Sequence, residues 1–215
     1  MNVKRLLLLH LRTTLRESVF VLVIIGFLFW TFINNEGVET FLKSKSMFQF
    51  YALFTMMMVG YAITVSLSFA GFMKRKASKF YQLYLLLPEK PSRLLIVEML
   101  PTFMIAILST WGIGILLHHK ASSSFLWLIL PIIGSGLFTW GLGTVSLTLT
   151  LQMSNVKALN AVLFLFLFVL VRIPKYIIKE LGIATGALMV ISVLLALVGP
   201  LALERINPEK VILSS

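Results

Sequence analysis

Residues 124–151 read SFLWLILPIIGSGLFTWGLGTVSLTLTL, a run without one acidic or basic side chain. A bilayer core ~30 Å thick is crossed by about 20 apolar residues in a helix, so this run is long enough to span it. Five more apolar stretches accompany it, at about 19–33, 47–72, 94–117, 158–171 and 181–203. None of the six carries a charged residue near its middle, and together they fill more than half of the 215 residues. The expected fold is therefore an all-α membrane protein, a single transmembrane domain over 1–215 with six transmembrane helices. The first and fifth stretches are short. Such a run spans by local bilayer thinning or as a broken helix, and the fifth is taken as a span.

Composition agrees. The chain is 59% hydrophobic and only 13% charged, with a mean hydropathy of +0.97, outside the range of ordinary soluble domains. It has no cysteine, which excludes disulfides, zinc thiolate sites and iron–sulfur clusters, and no aspartate, which removes the usual magnesium ligands. A net charge of +11 points to nucleic acid in a soluble protein. In a membrane protein it points instead to Lys and Arg gathered on the cytoplasmic side, and no nucleic-acid partner is expected.

With the N-terminus inside, the cytoplasmic side holds 13 of the 19 basic residues. The densest group is Lys74, Arg75, Lys76 and Lys79, between spans two and three. The expected location is the cell membrane, multi-pass, with both termini cytoplasmic. Lys4 and Arg5 precede an apolar run as in a signal peptide, but no small-residue cleavage pattern follows it, so the segment is expected to be retained. Over 3–17, Arg5, Arg12 and Arg16 share one helical face and Leu8, Leu11 and Leu15 another. This pattern fits an interfacial helix on the inner leaflet, either an anchor or an elbow that carries movement into span one.

The loop over 73–98 reads MKRKASKFYQLYLLLPEKPSRLLIVE. Phe80, Leu83, Tyr84 and Leu87 recur at helical spacing, which predicts a short amphipathic helix with no spanning role. Its apolar face either lies on the lipid surface or docks in a groove on a cytoplasmic partner. Pro88 ends the helix, and Glu89-Lys90-Pro91-Ser92 turns the chain back to the bilayer.

Six spans, an N-terminal interfacial helix and this loop helix, with its leucine-rich run Leu83 to Pro88 and then Ser92-Arg93, resemble the exporter-type membrane subunits of ABC transporters, the type-two ABC permease family. The tail Glu204 to Ser214 and the segment Arg172 to Glu180 are similar to that family's charged tail and small external helix. The loop departs from the family in starting with Lys74-Arg75-Lys76-Ala77-Ser78-Lys79, where acidic residues and a glycine are common. The resemblance implies a dimer, with a second copy or homologue alongside and a cytoplasmic ATP-binding subunit beneath. It makes the loop helix the coupling helix, its ATPase contact formed by Lys79, Phe80, Leu83, Tyr84, Leu87 and Pro88. ATP and Mg would sit on that partner, with no cofactor on this chain.

Two routes lead to an outside energy source. Ion-driven carriers bury ionisable groups at mid-membrane, where each costs at least ~3 kcal/mol to insert, and this chain places none there. It also lacks a G-x-x-x-x-G-K-[ST] phosphate loop. The expected function is the permease subunit of an ABC exporter that forms the path for an amphipathic or hydrophobic cargo. The alternative is a secondary carrier or channel acting without an ATPase. An enzyme is not expected: His10 lies in the N-terminal helix and His118 and His119 in a short outer loop, too far apart for a catalytic or metal set.

In span two, Gly60, Thr64, Ser68 and Gly71 share a face with Tyr61 beside them; in span four, Ser135, Thr139, Gly143, Ser146 and Thr150 do the same. Small and hydroxylated residues either let helices approach or line a route. The resemblance turns spans two and five to the partner and the pathway, so Tyr61, Thr64, Ser68, Asn160, Phe164 and Phe168 are the candidate lining. Glu98, about one turn into span three, serves a proton relay or pairs with Arg93 or another loop cation. Asn155 and Asn160 suit capping or interhelical hydrogen bonding.

Overall fold

The computed structural model describes residues 44–79, 81, 91–152 and 180–206, with scattered positions in 11–27 and at 162, 165 and 172. These residues are helical or in short turns, with no strand among them. Four long helices carry the fold: α1 (Lys45–Ala77), α2 (Pro91–Ala121), α3 (Phe125–Gln152) and α4 (Leu181–Glu204). All four are long and apolar enough to cross a membrane, as expected of a multi-pass membrane protein.

Local chemistry sets the helix ends. Ser44 caps α1, its Oγ accepting from the Met47 amide at 3.3 Å. At the other end Lys74, Arg75 and Lys76 fill the last turn, where cations face the negative pole of the helix. Lys79 takes a left-handed φ of 58° there, and its amide donates to the Lys76 carbonyl at 2.9 Å. At ~1.5 Å per residue, the 33 residues of α1 measure about 50 Å against a bilayer core of ~30 Å, so one end must project beyond the lipid. The apolar run ends before Lys74, and the basic turn that ends at Ala77 is therefore the projecting end.

α2 starts at Pro91, where a missing amide hydrogen is harmless and the fixed φ is helical. Pro91 and Ser92, expected in the turn back to the bilayer, thus belong to this helix. Its far end also exceeds expectation: His118 and His119 lie in the last helical turn rather than in a loop. Ser122 then turns the chain with φ 47°, and the Ser123 amide reaches back to the His118 carbonyl.

α3 is the hub, packed extensively on α4 and α1 and also on α2. The close approaches need glycine. A methyl on Gly141 would run into the backbone of Leu195 and Ala196 on α4, and one on Gly199 would strike Thr144 of α3. A methyl on Gly60 would come to 2.6 Å from Thr139 Oγ1 and 3.2 Å from Thr110 Cγ2, so α1 meets α3 and α2 there. Phe50, Leu53, Met57 and Tyr61 of α1 pack on Phe138 and Leu142 of α3 and on Ala184 and Leu188 of α4. Leu22, of the first apolar stretch, packs against Ile63, Leu67, Ile105 and Ala106.

The polarity of the bundle is inverted relative to a soluble protein. Thr110, Ser135, Thr139, Thr144, Thr150 and Ser192 are buried, and most of these hydroxyls donate to a carbonyl one turn back. Leu108, Ile115, Leu126, Ile133, Val190, Leu197 and Leu201 face outwards. Water penalises that arrangement and lipid accepts it. Of the six expected spans, four coincide with α1–α4; the interfacial helix and the first and fifth spans fall almost wholly outside the described residues.

Gly141→Val is expected to lower the thermal unfolding midpoint in detergent by overpacking, at a cost of about 1–3 kcal/mol or more. Gly186→Ala, where an added methyl meets nothing within 4 Å, should leave the midpoint in place or raise it. Equal midpoints would refute the α3–α4 approach.

Candidate functional site

Successive residues on a helix point ~100° apart, so the last turn of α1 aims Arg75 and Lys76 at different neighbours. Arg75 pairs through Nη1 with Glu98 Oε1 on α2. Lys76 donates through Nζ to the carbonyls of Thr150 at 2.8 Å and Leu151 at 3.4 Å. Those carbonyls lie at the end of α3, which the structure describes to Gln152. A lysine here donates to two main-chain acceptors of a neighbouring helix and favours the negative pole of that helix.

Tyr81, two residues beyond the α1 turn, donates its hydroxyl to the same Glu98 Oε1 at 2.7 Å. Glu98 is 2% exposed and Tyr81 is equally buried, beside Phe72, Leu95, Met99, Leu147, Leu151 and Leu203. One carboxylate oxygen thus holds donors from the end of α1 and from the connection that follows it. The other, Oε2, is buried without a hydrogen-bond partner among the described residues. Buried charge is tolerated only when it is paired, and here the pairing joins separate chain segments.

Burial pushes the Tyr81 phenol above its ordinary 10.0, and the Glu98 charge beside it pushes the same way, with Arg75 opposing. Burial lowers Lys76 from its ordinary 10.5. Lys74 and Lys79, in the same basic run, are exposed. A run that looks uniformly solvated therefore divides into two outward and two inward cations.

Lys79 occupies the turn after α1 rather than a helix. Phe80, Leu83, Tyr84, Leu87 and Pro88 lie outside the described residues, as do Asn155, Asn160, Phe164 and Phe168. Tyr61 and Thr64 are buried in the bundle, and Thr64 Oγ1 has no hydrogen-bond partner. Ser68 is on the same helix. The span-four stripe is buried throughout, and Thr139 meets Gly60, so the two stripes touch at that point.

Glu98 meets the expected loop cation, and that cation is Arg75. The sequence signal for Lys76 was its place beside Arg75 in the last turn of a long helix. Tyr81 gave no signal beyond lying one residue from the Phe80 face. At the opposite end, His118 Nδ1 is 3.0 Å from Ser123 Oγ and its ring stands edge-on to Phe125. Among the described residues no three His, Cys, Asp or Glu side chains come together to hold a metal.

No protein-family model, curated protein or solved structure matches this chain.

The Tyr81 shift sets a sign for pH dependence. Its folded-state pKa lies above the unfolded value, so its contribution to stability is complete below about pH 10 and is lost as the pH rises further. In unfolding measurements across that range, Tyr81→Phe should lose less stability above pH 10 than the parent. Parallel curves would show that the Tyr81 phenol is not buried against the bundle.

Proposed function

We propose that this chain is the permease subunit of an ABC exporter, a six-span protein working as a dimer with a second copy or homologue, on cytoplasmic ATP-binding subunits. The observation that carries this reading is the distribution of charge. The described spans hold no Asp, Glu, Lys, Arg or His at mid-membrane, while one end of the bundle brings a half-buried Arg75 to buried Glu98 and buries Lys76 where a connection leaves α1. A bundle without mid-membrane charge has no proton or ion relay of its own, and an input at the charged end fits a push from a partner. The similarity of residues 83–88 and 92–93 to the type-two permeases supports the same assignment.

In this reading the charged end is cytoplasmic, since the basic residues gather there. Residues 80–88 form the coupling helix, and Lys79 in the turn before it joins Phe80, Leu83, Tyr84, Leu87 and Pro88 in the ATPase contact. ATP and Mg bind to the partner, and this chain carries no catalytic group. Spans two and five face the path, and the phenylalanines of span five suit an amphipathic or hydrophobic cargo such as a peptide, drug or lipid.

The chain has no native cysteine, so single cysteines report topology cleanly. In intact cells a membrane-impermeant maleimide should label Ser123→Cys and spare Ser78→Cys until the membrane is opened. The reverse pattern would invert the assignment.

The partner is tested by purification in mild detergent. The parent should co-purify with a subunit that binds and hydrolyses ATP, and Leu83→Asp with Leu87→Asp should lose it while remaining folded. Transport by the purified chain alone, in vesicles without an ATPase, would identify a carrier or channel instead.

A further inference from the structure

We propose that Glu98 is a positioning residue: its Oε1 clamps both the end of α1, through Arg75, and the following connection, through Tyr81, onto α2, so that the root of the connection moves with the bundle. The inference takes from the proposed function only the direction of the push; the clamp itself stands on geometry. Arg75 and Tyr81 bracket the turn at Ser78 and Lys79, and both donate to one oxygen of one side chain. That turn is further fixed by Ser78 Oγ donating to the Arg75 carbonyl at 2.9 Å. Lys76, between them, fastens the same turn to the end of α3. Three helices therefore meet at the seven residues 75–81.

The carboxylate also explains why the clamp takes this form. An apolar contact in the same place would hold by area and slide, whereas a buried acceptor with fixed donors has one satisfied geometry. Oε2, buried without a donor among the described residues, leaves the described hold on Glu98 at Oε1, so removing either donor affects the site. The arrangement converts displacement of the connection into displacement of α2 and α3. Without it, the root of the connection would pivot on the α1 turn.

Spin labels at Lys79→Cys and Glu204→Cys, both exposed positions, measure the turn against the end of α4 in the full chain in lipid nanodiscs. The parent should give one narrow distance peak. Glu98→Ala and Arg75→Ala should lose it to a broad distribution, Tyr81→Phe should broaden it less, and the exchanged pair Arg75→Glu with Glu98→Arg should restore it. Tyr81→Phe keeps the buried ring, so it decides the matter if Glu98→Ala fails to fold. A parent-like peak in Tyr81→Phe together with either alanine variant overturns the clamp. In unlabelled protein with its ATPase, Tyr81→Phe should keep ATPase binding and lose transport per ATP hydrolysed. If the parent binds no ATPase, the permease assignment fails while the distance measurement still judges the clamp.

Discussion

Within a bilayer, lipid chains are as apolar as leucine, so burying leucine between helices gains little; association depends on how closely backbones can pack. The contact of Gly141 with the Leu195–Ala196 backbone, and of Gly199 with Thr144, is the constraint on which the described bundle rests. It seats α4 on α3, and α3 then supplies the surface against which α1 and α2 are placed. Gly60 opposite Thr139 repeats the device between α1 and α3. Hydroxyls beside these glycines turn back to their own helix: Thr139 donates to Ser135 and Thr144 to Gly141. They satisfy themselves locally and leave the interface to shape.

That economy of polar contacts makes the charged end stand out. Most of the buried hydroxyls bond one turn back along their own helix, whereas Arg75, Lys76 and Tyr81 reach across to other elements. Helix ends supply the reason. The carbonyls at the end of α3 favour a cation, and the basic end of α1 brings one within reach. Lys76 meets that need, and burying Glu98 beside it is possible because Arg75 comes from the same turn. Charge lies where the helices end, and the lengths of the helices decide where that is.

The spans were legible in the sequence because apolar length in a bilayer leaves few choices. Residues 124–151 and 181–203 match α3 and α4 within a residue or so. The ends were less legible. Span two was expected to stop at Phe72, yet α1 continues to Ala77, because Lys74 to Lys76 are good helix formers whose charges suit a helix C-terminus. His118 and His119 were assigned to a loop because polarity was taken as the boundary, while the helix continues until the left-handed turn at Ser122. At the site, Glu98 announced a need for a cation, but not which one. Arg75 and Arg93 are equivalent in a linear reading, and only the crossing of α1 and α2 distinguishes Arg75. Tyr81 was invisible: a tyrosine beside an amphipathic face looks like part of it until its hydroxyl is seen on Glu98.

The two ends of the bundle differ in how a force applied there would travel. At the His118 end, the α2–α3 connection is only Ser122 to Ser124, and its side-chain link joins His118 to Ser123 within that same hairpin. A pull on this turn acts on two helices that are already adjacent. At the other end, the connection between α1 and α2 is longer, and its root is fastened to α2 by a carboxylate and to α3 by a lysine. Since α3 also carries α4 through Gly141 and Gly199, a displacement there reaches all four helices through contacts that cannot slide.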